Sequence, residues 1–399
     1  MLCAIALASL TMTTANIWDQ VDSAKLRATV EKLASFTTRN TLSPMLSESV
    51  NWLVSEYKKI PGVKAVAFEY TIPKGRRVPE DKKVTQAVAW LGEAKTLEEL
   101  KNQRVVLVGG HLDSLNLQVE AETGRAPGAN DDASGTALAL ECARILSSQK
   151  WPVNIVFVGW TGEEQGLHGS RALALFAKAN QWKLEAVLSC DTVGSSSNKA
   201  KQKNTKQVRV FSDELETTNS RDLARWIEWN ARQTVKNFGV KLVFRADRFG
   251  RGGDHTPFAQ EGFDAVRFIE VHEEYTRQHT PDDLPEFMDW EYLKNVTKVN
   301  VASLAALASA SPAPVNVRLV RDQSHDTTIQ WQAAPGSKYR VYWRDTASPV
   351  WQRSESFVFH PAEGTSSGTN TAKFTVKGVN KDDHFFAVGA EGGVPVEVR

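Results

Sequence analysis

Residues 127–136 read PGANDDASGT: two adjacent acids, Asp131 and Asp132, stand among small residues just ahead of an apolar run with helical spacing, Leu138, Leu140, Ala143, Ile145 and Leu146. Turn-forming residues let the backbone bend sharply here, and either Asp132 or Ser134 is suited to cap the helix that follows. Taken alone, the stretch is a polar helix start. Its surroundings give it a fold. VVLVGG at 105–110 precedes it and IVFVGW at 155–160 follows, so the helix lies between two short apolar runs of the kind that form buried strands.

The alternation continues outward. Residues 187–188 read as another buried strand, and 135–148, 166–178 and 220–236 as helices. Runs at 208–211, 240–244 and 265–269 add strands, and 290–308 gives a closing helix. Towards the amino end, Leu26, Val30 and Leu33, then Val50, Leu53, Val54 and Tyr57, recur at helical spacing on either side of the break SFTTRNTLSP. Val66, Phe68 and Tyr70, followed by Val84, Val88 and Trp90, predict two strands joined by a charged turn around 74–83. This pattern implies an α/β fold: a mixed, mainly parallel sheet with helices on both faces.

After the closing helix, SASPAPV cannot continue a helix and sets a domain boundary near residue 312. Beyond it, apolar pairs around 329–331, 339–343, 357–359, 374–376 and 385–388 alternate with turn residues, the pattern of a small all-β sandwich. VNVRLVRDQSHDTTIQWQ and KYRVYWRD resemble a fibronectin type III domain. The expected organisation is a signal peptide over 1–15, an α/β domain over 16–311 and the sandwich over 312–399.

Composition narrows the partners. The 399 residues are 41% hydrophobic and 24% charged, with 48 Lys plus Arg against 47 Asp plus Glu, so no basic field argues for nucleic acid and no acidic excess for disorder. MLCAIALASLTMTTA, an apolar run ending in small residues, resembles a secretory leader without the basic start, and implies a secreted or periplasmic protein. No later stretch is long and apolar enough to form a transmembrane segment. Cys142 and Cys190 lie in apolar runs and read as buried thiols rather than a disulfide framework. The sequence carries no signal of oligomeric state.

The chemistry gathers at strand ends. VVLVGG leads into His111 and Asp113, IVFVGW into Glu163 and Glu164, and AVLSC into Asp191. Each has an ordinary reading by itself, as a cap or a solvated helix start. Together they belong at the carboxyl edge of an open α/β sheet, where ligands bind, alongside Asp131 and a late-loop histidine, His279. Carboxylates crowded into one crevice raise one another's pKa, and a divalent cation is the simplest compensation. His, Asp and Glu without thiolates suit zinc, with manganese or cobalt as alternatives, and there are enough of them for two ions with one shared acid.

GGHLDS, PGANDDASG, TGEEQGLHGS, SCDTVG and QHTPDD, in that order, resemble the successive motifs of the dinuclear zinc exopeptidases, a family that includes bacterial aminopeptidases, glutamate carboxypeptidases and the transferrin receptor. The resemblance covers roughly 30–310. It implies that His111, Asp131 and Asp191 hold one zinc and Asp131, Glu164 and His279 the other, with Asp131 bridging. It further implies that Asp113 orients His111, that Glu163 is the general base, and that the Asp131–Asp132 peptide is cis. Asp254 and His255 resemble a structural pair, and Asp283 is a candidate support for His279. The expected reaction is metal-assisted hydrolysis of an amino-terminal peptide bond in a peptide or protein substrate.

The sequence also departs from the family. DRFGRGGDHTPF has no tyrosine where aminopeptidase relatives often place one for the oxyanion, so Arg251 and Tyr275 are the candidates for that role. VHEEYTRQ reads as a surface loop or as a pocket wall holding the substrate amine through Glu273 or Glu274. A carboxypeptidase or dipeptidase remains an alternative, with Arg248 or Arg251 clamping a carboxylate. A glutaminyl cyclase or a non-catalytic binding protein fits less well, because both acids, both histidines and Glu163 are present.

Overall fold

The computed structural model describes residues 16–120, 123–213, 217–246, 252–321, 324–334, 336–360 and 370–398. The expected leader and the candidates Arg248 and Arg251 lie outside them. Helices α1 (Ser23–Ser35) and α2 (Leu46–Lys58) open the chain, the first capped by the Asp22 carboxylate accepting from the Ala24 amide. A hairpin, β1 (Val63–Ile72) and β2 (Lys82–Leu91), follows. Next come β3 (Arg104–His111), α3 (Ala133–Leu146), β4 (Asn154–Trp160), α4 (Glu163–Gly166), α5 (His168–Ala179) and β5 (Lys183–Cys190). β6 (Gln207–Phe211), α6 (Ser220–Thr234), β7 (Gly239–Val243), α7 (His255–Gln260), β8 (Ala265–Glu270) and α8 (Trp290–Ser309) complete the α/β part.

Eight strands form one sheet in the order β1-β2-β4-β3-β5-β8-β6-β7. β4, β3, β5 and β8 run parallel at its centre, as do β6 and β7, while β1, β2 and the β6–β8 pair are antiparallel. The chain leaves β3 for β4 on one side and returns past β3 to β5 on the other. Such a switch opens a crevice at the carboxyl ends of the strands.

Period-two alternation explains the two layers of core. Val106 and Val108 of β3 join α1, α2, α3 and α8 on one face, whereas Val105 and Leu107 meet α5 and α7 on the other. Each fully buried aliphatic chain of this kind contributes about 1.5–3 kcal/mol. The expected helix over 166–178 stands as α5, and a separate short helix, α4, precedes it. Gly166 (φ +130°) and Leu167 (φ 63°) take left-handed backbone between α4 and α5, turning Glu163 and Glu164 into a separate short turn above β4.

Beyond α8, β9 (Val315–Leu319), β10 (Thr327–Gln332), β11 (Lys338–Asp345), β12 (Arg353–Val358), β13 (Thr371–Val376), β14 (His384–Ala390) and β15 (Val396–Glu397) form two antiparallel sheets, β13-β10-β9 and β12-β11-β14-β15. They share an aromatic core in which Trp331 meets Tyr339 and Phe357 edge-on at 5.5 and 5.7 Å. The four-stranded sheet also docks on α6: Tyr342 meets Trp229 edge-on at 5.7 Å, and Arg232 donates to the Trp351 carbonyl at 2.7 Å. No helix among the described residues is long and apolar enough to cross a membrane.

Candidate metal centre

The site begins with close backbone approach. A Cβ on Gly110 would lie 2.4 Å from the Gly135 carbonyl carbon, and one on Gly135 would lie 2.0 Å from the Cys190 carbonyl oxygen. The start of α3 therefore nests against the ends of β3 and β5. Asp132 caps α3 and ties it there, accepting from the Gly135 amide at 2.8 Å, the Ser134 hydroxyl at 3.0 Å, the Thr192 amide at 3.2 Å and the His111 amide at 3.0 Å. The Asp131–Asp132 peptide is cis. With Asp132 occupied by the frame, Asp131 is left to face the crevice.

Buried Arg39 braces the same turn from beneath. Its guanidinium donates to the carbonyls of Leu33 (2.8 Å), Leu112 (2.7 Å), Pro127 (2.6 Å) and Gly128 (2.9 Å), joining the end of α1, the loop after β3 and the acidic turn. Burial lowers its pKa to about 10, the charges of Asp283, Asp113, Asp132 and Asp131 opposing the fall. Asp283 accepts from the amides of Asn130 and Asp131, each at 2.9 Å, so it supports the acidic turn directly instead of the His279 ring it was expected to support.

Five side chains converge. His111 Nε2 is 3.0 Å from Asp131 Oδ1 and 3.7 Å from Asp191 Oδ1, and His279 Nε2 is 3.1 Å from both Asp131 Oδ2 and Glu164 Oε1. They group as His111, Asp131 and Asp191, and as Asp131, Glu164 and His279, with ligand atoms in each group within 4.8 Å of one another. Asp131, only 4% exposed, belongs to both. His111, Glu163 and Glu164 make a third such group. Asp191 Oδ1 has no hydrogen-bond partner, and Glu164 Oε1 makes no hydrogen bond despite its nearness to the imidazole. Orphaned buried carboxylate oxygens facing imidazole nitrogens fit a divalent cation, and this set of O and N donors without sulfur fits zinc.

Without an ion, protons do the compensating. Burial would lower the pKa of His111, but the carboxylates of Asp113, Asp131 and Asp191 around it outweigh burial and hold the ring well above its ordinary value. For His279 burial is likewise outweighed, by Asp131 and Glu164, and its pKa rises to about 11. The reverse holds for Asp131: burial opposes ionisation, yet the two imidazoles keep its carboxyl well below the usual range. Asp191 is also lowered, against burial, by Arg267, whose guanidinium lies 2.8 Å from Oδ2, and by His111.

A second carboxylate organises the other side. Asp113 accepts from the Thr41 hydroxyl at 3.0 Å and from the amides of Glu163 and Glu164 at 3.4 and 3.2 Å. Its Oδ1 lies 3.6 Å from His111 Nδ1, and its carbonyl oxygen is closer, at 3.0 Å. Both contacts leave Nε2 as the nitrogen that faces the crevice, the arrangement that fixes a ligating imidazole. Thr41 also accepts from the Gly162 amide at 2.8 Å, so one hydroxyl links the turn before α4 to Asp113. Glu163 stands partly exposed beside this cluster. Burial of its carboxyl, reinforced by Glu164, Asp191 and Asp254 and opposed by His111, holds its pKa well above the ordinary range.

The remaining candidates divide. Asp254 and His255 are buried at the start of α7. Tyr275 is 57% exposed, whereas Glu273 and Glu274 are buried and line a slot next to Asp131, which favours the pocket-wall reading of VHEEYTRQ. No sequence motif assigns a role to four further contributors: Arg39, Thr41, Arg267, and Gln278, which donates to Asp131 Oδ2 at 2.7 Å. Arg267 had one visible sign, a cation inside the otherwise apolar run AVRFI.

Comparison with known proteins agrees with this architecture. Residues 93–304 match the profile described as Peptidase family M28. A protein of Leptosphaeria maculans named a probable zinc metalloprotease is 33% identical over 377 residues, covering 84% of this chain and 86% of its own. Another so named, from Pyricularia oryzae, is 34% identical over 380 residues, covering 83% and 75%. Among solved structures, a zinc aminopeptidase from Bacillus subtilis superposes with a TM-score of 0.56 at 16% identity, over 71% of this chain and 94% of that one. The LapA aminopeptidase of Legionella pneumophila gives 0.57 at 22% identity over 72% of each chain. These two share the fold. With its profile match spanning over half the chain and its relatives a third identical over more than four fifths of it, the chain belongs to peptidase family M28.

Proposed function

We propose that the protein is a zinc-dependent aminopeptidase. The observation that carries this reading is the position of Asp131 between two imidazoles, its two oxygens 3.0 and 3.1 Å from His111 and His279. In this reading His111, Asp131 and Asp191 hold one zinc, and Asp131, Glu164 and His279 the other. Bound zinc would polarise the scissile carbonyl and make the attacking water more acidic.

The chain's own residues supply the rest. Glu163 takes the proton of the attacking water and returns it to the departing amine, a role suited to a carboxylate whose pKa is raised by burial. Asp113 holds the Glu163 and Glu164 amides, so the base and its neighbouring ligand move as one piece. Asp113 also fixes the His111 tautomer. Buried Glu273 and Glu274 close the crevice on the side where a free amino terminus would lie.

One observation keeps the carboxypeptidase or dipeptidase alternative in view: Arg77, from the β1–β2 hairpin, donates to the Glu164 carbonyl at 2.6 Å and brings a guanidinium to the rim of the crevice. The zinc-loaded protein should cleave aminoacyl-p-nitroanilides and leave N-blocked dipeptides intact. Cleavage of the blocked dipeptide alone would replace the aminopeptidase reading with the carboxypeptidase one.

A further inference from the structure

The slot beside Asp131 carries more chemistry than holding an amine requires. The slot is narrow, a cavity of about 20 Å³ that opens to solvent. Its acidic floor comes from the end of β8 and the loop that follows, Glu270 and Glu273, and its wall is apolar: Leu284, Phe287 and Met288.

Glu270 is 1% exposed; Oε2 accepts from the Ser195 amide at 2.9 Å and the Asn130 side chain at 3.0 Å, and Oε1 has no hydrogen-bond partner. Glu273 is 9% exposed; Oε1 is bonded to the Arg209 guanidinium, and Oε2 has no partner. Glu274 differs, since its Oε1 is already taken by the Thr276 amide and hydroxyl. The two neighbouring cations are engaged at the slot's edges, without reaching the two orphaned oxygens. Arg209 also donates to the Glu270 carbonyl at 2.9 Å, and the Arg277 guanidinium lies over the Phe287 ring at 3.7 Å from its centroid. Two buried carboxylate oxygens thus lack donors at the foot of an apolar wall, an arrangement that is unfavourable until a cation completes it.

We propose that this slot binds the side chain of a lysine or arginine at the amino terminus of the substrate. Its aliphatic stem lies along Leu284 and Met288, and its charged head donates to Glu270 Oε1 and Glu273 Oε2. An α-amine alone would use the acidic floor and leave the apolar wall without purpose, whereas a basic side chain is amphipathic in the same sense as the slot. The inference rests on the aminopeptidase reading above.

The test compares kcat/KM of the zinc-loaded full chain on the p-nitroanilides of lysine, Nε-acetyl-lysine and norleucine. Lysine should exceed norleucine by about tenfold or more, and acetylation should abolish the advantage, because only the charged head satisfies the two carboxylates. Glu270→Gln should lower the lysine-to-norleucine ratio by about tenfold through KM more than kcat. A wild-type ratio near one overturns the proposal while leaving the aminopeptidase reading intact, and so does an equal loss on both substrates in Glu270→Gln. Failure to hydrolyse any of the three overturns the aminopeptidase reading itself, and the slot assignment with it.

Discussion

Thr41→Val tests whether the crevice depends on a hydroxyl that lies outside every acidic motif. Valine keeps the branched shape of threonine and removes two hydrogen bonds: the 3.0 Å donation to Asp113 and the 2.8 Å acceptance from the Gly162 amide. Both positions are buried, so neither group regains a partner from solvent. An orphaned buried amide costs about 1–3 kcal/mol, and a hydrogen bond to a charged group contributes about 1.5–3 kcal/mol. Asp113 keeps its two donors from Glu163 and Glu164, which softens the second loss. The expected destabilisation is therefore about 2–4 kcal/mol. Urea unfolding of the metal-free protein, read as a midpoint shift at constant slope, gives this number. Because the freed groups position Glu163 and His111, kcat should fall with little change in KM, and Thr41→Ser should restore both readouts. A Thr41→Val protein within about 0.5 kcal/mol of wild type, with unchanged kcat, refutes the strut assigned to this hydroxyl.

Two further outcomes follow from the same geometry. Glu163→Gln removes the base but none of the five proposed ligands, so zinc content by elemental analysis should stay at the wild-type value while kcat falls about 10²–10⁴-fold; wild-type turnover would remove Glu163 from the mechanism. Zinc binding should release protons, since both imidazoles are held protonated in the metal-free site, His279 up to about pH 11. A raised folded-state pKa means that the His279 ion pairs stabilise the metal-free protein fully below about pH 6.5, and that this stabilisation is lost as pH rises through about 11. Apparent zinc affinity should thus climb steadily from pH 6 to 8. Calorimetry in buffers of different ionisation enthalpy would count the protons released, and a pH-independent affinity would contradict the picture of protonated imidazoles.

What was legible in the sequence, and what was not, follows the range of the interactions. Strands such as VVLVGG and IVFVGW declare themselves because burial on both faces of a sheet needs an unbroken apolar run, and that is a local property. The residues at their ends, His111, Glu164 and Asp191, could be placed in one crevice because topology sends parallel strands to a common edge. Arg39 could not be. Its four carbonyl partners are scattered from Leu33 to Gly128, and nothing near it in sequence signals a buried cation. Asp283 shows the same limit, its carboxylate reaching the amides of Asn130 and Asp131 across more than 150 residues. The short helix α4 was hidden for a different reason: its four residues span little more than one turn, and the left-handed backbone of Leu167 that closes it is imposed by the tertiary fit. β15 is not legible because it spans two residues, too few for a full period of alternation.

The central claim is that Asp131 serves both halves of one metal centre, and the metal content of Asp131→Asn tests it most directly. Asparagine matches the size of aspartate but lacks the charge that stands 3.0 and 3.1 Å from the two imidazoles. Native mass spectrometry of the zinc-reconstituted wild type should find about two ions per chain, and the variant should hold about one or none and lose peptidase activity. An Asp131→Asn protein that keeps the wild-type zinc content and turnover would contradict the account.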